Sequence, residues 1–481
     1  MSERRKWFGT DGIRGKYGVE PMTPEFVWRA GHAAARHFAG GKTEPLFIVG
    51  RDTRASGCVL EDSLCLGLLA GGARVTRPGV VPSGAVSLLV TGIGAQAGVM
   101  LSASHNDAAD NGVKFFDGKG FKLADADELA IERLLEKSPA APVLSHEIPA
   151  VMEFGAQPIY LEMYREALAK TVPSDFSLAG RALVLDAANG AAWGSAANIL
   201  QNYGADVQRL GCQPDGMNIN RDCGSTHPEA LQAAVRRHAD GRAIGLALDG
   251  DADRLIMTDE DGELLDGDEI LAIVGTHLLG KRALPKKTIV ATVMSNLGLD
   301  EAIVSAGGSV ARTEVGDRYV LARMREEGCT VGGEQSGHFL FLDHAPSGDG
   351  LLSALQVLEV QQQTGKPLRE LRRVMRKYLQ RLYNLPVKKK TPLERLPKLR
   401  AAAREVERRL DGKGRIFIRY SGTENKIRVL LEAADGDLEQ LARPVLRVIK
   451  TSLGTQPKFP SRRGEFARVG GMVSEVVSAP V

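Results

Sequence analysis

Short apolar runs recur along this chain, and each breaks into a polar or glycine-rich turn. They fall at residues 46–49, Ala97–Leu101, 182–185, Ile244–Leu248 and Thr288–Thr292. Runs of four or five residues that are almost wholly apolar suit strands buried on both faces. Helix-length patterns lie between them. Thr23-Pro24-Glu25 supplies an N-cap, a first-turn proline and a first-turn acid for a helix through Phe38. Residues 56–69 and 191–203 read as further helices. Strands that alternate with helices imply βαβ units and a largely parallel sheet.

At 481 residues the chain is long enough for about three domains, within a range of two to four. The expected division is an α/β domain over 1–150, a second over 151–257 and a third over 258–372. A smaller α+β domain follows over 373–453, then a C-terminal extension over 454–481. The proline-rich stretch from Ser138 to Pro149 has linker composition. Strands are expected at 73–76 and 329–331. Past Leu371 the texture changes to a charge-rich helix at 398–410 flanked by β-type runs at 415–420 and 427–431. The tail from Gly454 shows little periodicity before Met472 and receives no role. Lys388-Lys389-Lys390 reads as solvated surface.

Composition removes several function classes. Lys and Arg number 62 against 59 Asp and Glu, so the net charge of +3 offers no concentrated basic face for nucleic acid. Aromatics at 5% are sparse for base stacking. The five cysteines are scattered without a Cys-x-x-Cys pair, which points away from a zinc site or a disulfide framework and towards reduced thiols in the cytoplasm. The charged N-terminus lacks a following apolar segment of signal-peptide type. No apolar run reaches the length of about 18 residues that a membrane span needs.

The chemistry lies in the strand-end loops. Ala97–Leu101 opens into Ser102-Ala103-Ser104-His105-Asn106, and Ile244–Leu248 opens into Asp249-Gly250-Asp251-Ala252-Asp253-Arg254. The second loop offers three alternate carboxylates, hard oxygen ligands for Mg²⁺ or Ca²⁺. An EF-hand would place glycine where Arg254 stands and a helix where a strand is expected. Ser104 lacks the Gly-x-Ser-x-Gly elbow of a hydrolase. His105 follows it directly, and adjacent side chains on extended backbone diverge, which weakens His105 as its base. Lys114 is a better-placed cation on the next strand-like run.

Three other loops carry polar groups. Arg419-Tyr420-Ser421-Gly422-Thr423-Glu424, with Arg428 beyond, resembles a phosphate cradle of hydroxyls, amides and arginines. Gly332-Gly333-Glu334-Gln335-Ser336-Gly337-His338 suits sugar hydroxyls. Thr10-Asp11-Gly12-Ile13-Arg14-Gly15 sets an arginine between glycines, open to close approach by an anion.

In this order and spacing the motifs resemble those of the α-D-phosphohexomutase family. To those already quoted are added Asp215-Gly216-Met217-Asn218-Ile219-Asn220, the run Cys223-Gly224-Ser225-Thr226-His227-Pro228-Glu229, and Val315-Gly316-Asp317-Arg318-Tyr319. The resemblance covers residues 7 to about 450. It implies four domains around a central cleft, three α/β with mixed, mostly parallel sheets and one smaller α+β. Ser104 would be the phosphoserine and, with Asp249, Asp251 and Asp253, would coordinate one Mg²⁺. Arg14 and Arg254 would stabilise the moving phosphoryl group, and Lys114 or His105 would serve in proton transfer. Glu334, Ser336 and His338 would hold the sugar, while Arg419, Ser421, Gly422, Thr423 and Arg428 would clamp the phosphate that is not reacting.

The implied reaction interconverts a hexosamine 6-phosphate and 1-phosphate through a sugar 1,6-bisphosphate. Gln335 and the Cys-Gly-Ser-Thr-His-Pro-Glu run resemble the glucosamine branch over the glucose and mannose branch. A non-catalytic sugar-phosphate sensor on the same scaffold is the alternative of a different class. The family also suggests a homodimer. Two departures stand out. Asp107 and Asn425 replace the prolines usual after the serine loop and the clamp.

Overall fold

The computed structural model describes residues 5–40, 44–149, 153–238, 241–421, 425–453, 468–469 and 472–474. They form three α/β units and a smaller fourth unit. The first sheet contains β1 (Ile13–Lys16), β2 (Leu46–Arg51), β3 (Arg74–Val80), β4 (Ala97–Leu101) and β5 (Asp110–Asp117), in the order β1-β5-β4-β2-β3. The second has β6 (Ala182–Asp186), β7 (Asp206–Leu210), β8 (Ile244–Leu248), β9 (Leu255–Thr258) and β10 (Leu264–Leu265), in the order β10-β9-β8-β6-β7. It therefore runs past the boundary expected at 257. The third has β11 (Thr288–Thr292), β12 (Ser309–Thr313), β13 (Val331–Gly333) and β14 (Phe339–Phe341), in the order β12-β11-β13-β14.

One topology repeats three times. The first parallel strand of each unit (β2, β6, β11) is central, with the next (β3, β7, β12) on one side and the third (β4, β8, β13) on the other. That third strand then turns back into an antiparallel neighbour, β5, β9 or β14. The serine loop, the acidic loop and the Glu334–His338 loop are therefore the same hairpin in three successive units. All three leave the carboxyl ends of parallel strands, where open α/β sheets bind ligands. The acidic loop also lies between strands β8 and β9, which rules out the helix-flanked EF-hand.

The fourth unit has β15 (Leu379–Pro386), β16 (Gly414–Tyr420) and β17 (Lys426–Ala433), joined by β18 (Arg468–Val469) and β19 (Met472–Ser474). The tail, which receives no role from the sequence, adds β19 in parallel to β15. Residues 454–467 and 475–481 lie outside the described residues. The core of this unit (Val406, Ile427, Val429, Leu446, Ile449) is its own. A single larger core runs through the three α/β units from Ile48 and Val86 to Leu185, Leu246, Ile270 and Leu355. Among the described residues no helix is long and apolar enough to cross a membrane.

Helix boundaries follow local chemistry where caps are present. Pro24–Phe38 begins at the expected place, with Thr23 Oγ1 accepting from Phe26 N at 3.2 Å. The helix expected over 191–203 begins only at Ala196. Gly190 abuts Gly250 and Ala191 N donates to Gly250 O at 2.8 Å, so the intervening residues form turns tied to the acidic loop. The strand expected at 329–331 is shifted to Val331–Gly333.

Candidate active site

Ser104 is 1% exposed and adopts φ 54°, the left-handed region that a non-glycine residue rarely enters. Its amide donates to Ser102 Oγ at 2.9 Å. This kink aims the Ser104 hydroxyl at the second unit, where Oγ donates to Asp249 Oδ2 at 2.5 Å. It also corrects the expectation for His105. The backbone is not extended here, so the two adjacent side chains converge, with His105 Nδ1 3.3 Å from Ser104 Oγ. Burial, together with the nearby Arg254 and Arg14 guanidinium groups, lowers the His105 pKa to about 3, so its ring is neutral.

Asp249, Asp251 and Asp253 are all buried, and one ligand oxygen from each lies within 4.8 Å of the others. Burial and then the repulsion of Asp253 and Asp251 raise the Asp249 pKa to about 7. Asp251 Oδ1 and Asp253 Oδ1 receive no hydrogen bond. Three buried carboxylates with two unsatisfied oxygens form a site built for a cation. Ser83 Oγ donates to Asp251 Oδ2 at 2.6 Å and so orients it.

Lys114 sits beneath this triad. It is 1% exposed, with Nζ at 2.6 Å from Asp251 Oδ2, 2.9 Å from Asp11 Oδ2 and 3.3 Å from Asp253 Oδ2. Burial opposes its charge, but Asp11, Asp251 and Asp253 outweigh burial and hold its pKa well above the ordinary lysine value. Lys114 is thus held as a fixed cation. Asp11 is shared further, accepting from Lys122 Nζ at 2.6 Å and from Arg14. Lys122 in turn pairs with Asp317 of the third unit.

Arg14 Nε donates to Asp11 O at 3.3 Å and Nη1 to Ala103 O at 3.4 Å, beside the serine loop. The Arg254 guanidinium stands 3.9 Å from Asp249 Oδ2 and 4.0 Å from Asp253 Oδ1, and its Nε makes no hydrogen bond. Both arginines lie close enough to His105 to lower its pKa.

The third hairpin lies alongside. Arg254 and His338 form a β-bridge, and Leu255 N donates to Gly337 O at 2.9 Å. The His338 ring is buried, with both nitrogens free of hydrogen bonds and Nε2 3.6 Å from Asp253 Oδ2 and from Asp317 Oδ2. Glu334 Oε1 accepts from Gly316 N at 3.0 Å, while burial and Asp317 raise its pKa. Ser336 is exposed. Gln335 is turned away and buried, its amide donating to Gln380 Oε1 at 3.2 Å and Asp266 Oδ2 at 3.4 Å.

In the fourth unit Arg419 and Arg428 are direct cross-strand partners on β16 and β17. Burial and then Arg428 depress the Arg419 pKa, while Glu314 of the third unit acts in the other direction. Two adjacent guanidinium groups on one sheet face make a site for a doubly charged anion. Ser421 is buried at the end of β16, and its carbonyl accepts from Lys390 Nζ at 2.7 Å. Lys390 is therefore a support of this loop, where solvated surface was expected. Gly422 and Thr423 lie outside the described residues.

Models of four phosphoglucomutase/phosphomannomutase domains match in sequence. The α/β/α domain I matches residues 5–141, domain II 160–262, domain III 266–378 and the C-terminal domain 382–448. The chain belongs to the phosphoglucomutase/phosphomannomutase family. A phosphoglucosamine mutase of Anaeromyxobacter sp. (strain Fw109-5) is 45% identical over 436 residues, 90% of this chain and 92% of that protein. One from Geobacter sp. (strain M21) is 43% identical over 458 residues, 94% of this chain and 100% of that protein. The fold is shared with a phosphoglucomutase/phosphomannomutase family protein of Burkholderia thailandensis (TM-score 0.74, 23% identity, 92% of this chain and 97% of that one). It is shared too with an Aspergillus fumigatus N-acetylphosphoglucosamine mutase solved with GlcNAc-6P and magnesium (TM-score 0.66, 21% identity, 94% and 96%).

Sequence reasoning quoted Asp11 and Asp317 within motifs but gave them no part, and passed over Ser83 and Lys122. Asp11 and Asp317 carried a usable signal, since each sits beside a glycine, the first just before β1 and the second at the start of the helix Asp317–Glu327. Lys122 carried none, because its partners, Asp11 and Asp317, come from two distant stretches of chain.

Proposed function

We propose that the chain interconverts glucosamine 6-phosphate and glucosamine 1-phosphate through a phosphoserine at Ser104 and glucosamine 1,6-bisphosphate. The observation that carries this reading is the 2.5 Å contact between the buried Ser104 hydroxyl and the acidic loop. A hydrolase nucleophile would face a base and an oxyanion hole. This one has an imidazole beside it, but its hydroxyl donates to a carboxylate of a cation site.

The donor set fits magnesium, with hard oxygens from Asp249, Asp251 and Asp253 and two of those oxygens otherwise unsatisfied. With the Ser104 oxygen they would hold the ion, which when bound neutralises charge on the transferring phosphoryl group. The protein's own groups do the rest. In the first half-reaction the bond from phosphorus to Ser104 Oγ breaks as a bond to the sugar O1 forms. The O1 proton passes to a base, for which His105 is the candidate by position, its Nδ1 3.3 Å from Ser104 Oγ, with the negative phosphoryl group offsetting the burial and the arginines that depress its basicity. Arg14, Arg254 and the charged Lys114 supply positive charge around the phosphoryl oxygens. The bisphosphate then turns end for end. In the second half-reaction the bond from phosphorus to O6 breaks as Ser104 Oγ takes the 6-phosphoryl group, the proton held by the base since the first half-reaction passes to O6, and glucosamine 1-phosphate departs.

Two further sites serve that turn. Glu334, Ser336 and His338 meet the sugar hydroxyls, and Arg419, Arg428 and Ser421, with Gly422 and Thr423, hold whichever phosphate is distant. A clamp that must accept either phosphate needs charge and donors without selectivity for the sugar position, and paired arginines provide that.

The choice of glucosamine is supported by relatives named phosphoglucosamine mutase that match at least 90% of the chain. The test is turnover of glucosamine, glucose and mannose 6-phosphates by one preparation. Glucosamine 6-phosphate should give the highest kcat/KM; a higher value for glucose 6-phosphate would assign the chain to the glucose and mannose branch.

A further inference from the structure

The serine loop is held by a closed square of hydrogen bonds. Two carbonyls, Ser104 O and Asn106 O, form one diagonal. Arg54 Nη2 donates to them at 3.2 and 2.6 Å, and Asn220 Nδ2 donates to both at 2.9 Å. Each nitrogen uses both of its protons, and each carbonyl uses both of its lone pairs. Arg54 belongs to the first unit and is fully buried, paired with Asp52 and donating its own amide to Asp52 Oδ1 at 2.9 Å. Asn220 belongs to the second unit, is 4% exposed and adopts φ 57°, a conformation asparagine tolerates better than most residues.

The acidic loop abuts the same square. A Cβ on Gly250, the residue between Asp249 and Asp251, would lie 2.4 Å from Ser104 O and 2.9 Å from Asn220 Nδ2. Asn220 is itself anchored, its amide donating to Ala188 O at 2.9 Å, and Ala191 N of that turn donates to Gly250 O at 2.8 Å. Ser104, Gly250 and Asn220 are thereby locked as one three-loop assembly across two units.

We propose that Asn220 is a positioning residue for phosphoryl transfer, which sets where the Ser104 oxygen sits over Asp249 by tying the turn from Ser104 to Asn106 to the second unit. Arg54 maintains the shape of the turn within its own unit. Asn220 fixes its register against the carboxylates. The consequence for kcat rests on the mutase reading given above, whereas the consequence for loop order does not.

Two variants of the full chain test this. In Asn220→Ala both carbonyls keep their bond to Arg54, so the protein folds. Backbone amide hydrogen exchange in residues 102–107 should quicken roughly tenfold or more as local opening becomes easier. A small displacement of a reacting group costs about 100-fold in rate, so kcat should fall by that order while KM for glucosamine 6-phosphate stays within about threefold. Asn220→Asp keeps the shape but replaces the two donors with an acceptor facing two carbonyls, and it should be at least as impaired. A residue that merely fills space would give the opposite result, with the Asn220→Asp variant close to wild type. Unchanged exchange at 102–107 in Asn220→Ala, or near wild-type kcat in Asn220→Asp, overturns the proposal. If the wild-type protein itself does not turn over glucosamine 6-phosphate, the mutase reading fails and the exchange measurement alone decides the role of Asn220.

Discussion

Ser104 Oγ and Asp249 Oδ2 lie 2.5 Å apart although 145 positions separate them in sequence. The contact joins two copies of one hairpin, each leaving the third parallel strand of its unit. A phosphate on that serine would enter a site already lined with three carboxylates and ringed by Lys114, Arg14 and Arg254. Carboxylates alone would repel it. The arrangement fits a cation between them.

Removing divalent cations with a chelator should abolish turnover, and Mg²⁺ should restore it. Asp251→Asn should raise the half-saturating Mg²⁺ concentration by roughly tenfold or more, since it weakens one hard oxygen ligand. A magnesium titration of activity in the two proteins checks this. Superimposable curves would remove Asp251 from the metal site.

Lys122 holds the first and third units together through Asp11 and Asp317. Lys122→Met leaves two carboxylates facing each other in a largely buried position. The loss should be about 3 kcal/mol of unfolding free energy, as for other broken buried pairs. Denaturant unfolding measures it, and Lys122→Met,Asp317→Asn should recover part of the loss.

Arg419→Ala should raise KM for the sugar phosphate by about 10- to 100-fold, the loss of one charge-assisted hydrogen bond to phosphate, with a smaller effect on kcat. Steady-state kinetics on glucosamine 6-phosphate provide the check. An unchanged KM would place the distant phosphate elsewhere.

Asp349, next to a residue whose amide bonds to Ala252 of the acidic loop, supplies a stability test. It caps the helix Gly350–Thr364, accepting from Leu351 N and Leu352 N at 2.9 Å, and it receives the Tyr164 hydroxyl at 2.7 Å. Burial outweighs these bonds and raises its pKa to about 6. The unfolded value is about 3.9, so the folded state binds more protons between pH 4 and 6. Its contribution is fully present below pH 4 and is lost as pH rises through 6, by about 3 kcal/mol. Asp349→Asn removes this titration. The stability of the variant relative to wild type should climb by that amount from pH 4 to 7 and stay flat above; no climb would show that Asp349 is charged in the folded protein throughout.

Much of this was legible in the sequence, for local reasons. Ile244–Leu248 and its alternate aspartates form a strand and a turn whose meaning depends on neighbours only, and Thr23-Pro24 marks a helix start by the same logic. What was not legible depended on distant partners. The convergence of His105 on Ser104 follows from φ at Ser104, which is imposed by Arg54 and Asn220 from two other loops. The start of the helix at Ala196 is delayed by a turn bound to Gly250. Met472–Ser474 has no pattern that announces pairing with β15. Gln335, read as a marker of the sugar branch, points into the junction between the third and fourth units.

The central claim is that Ser104 carries the transferred phosphoryl group. The most direct measurement is the intact mass of the wild-type protein and of Ser104→Ala after mixing with glucose 1,6-bisphosphate and magnesium, followed by peptide mapping. The wild-type protein should gain one phosphoryl group, confined to the peptide containing Ser104 and lost on chasing with glucosamine 6-phosphate, and Ser104→Ala should gain none. A phosphoryl group on another residue, or equal labelling of the two proteins, would contradict the account.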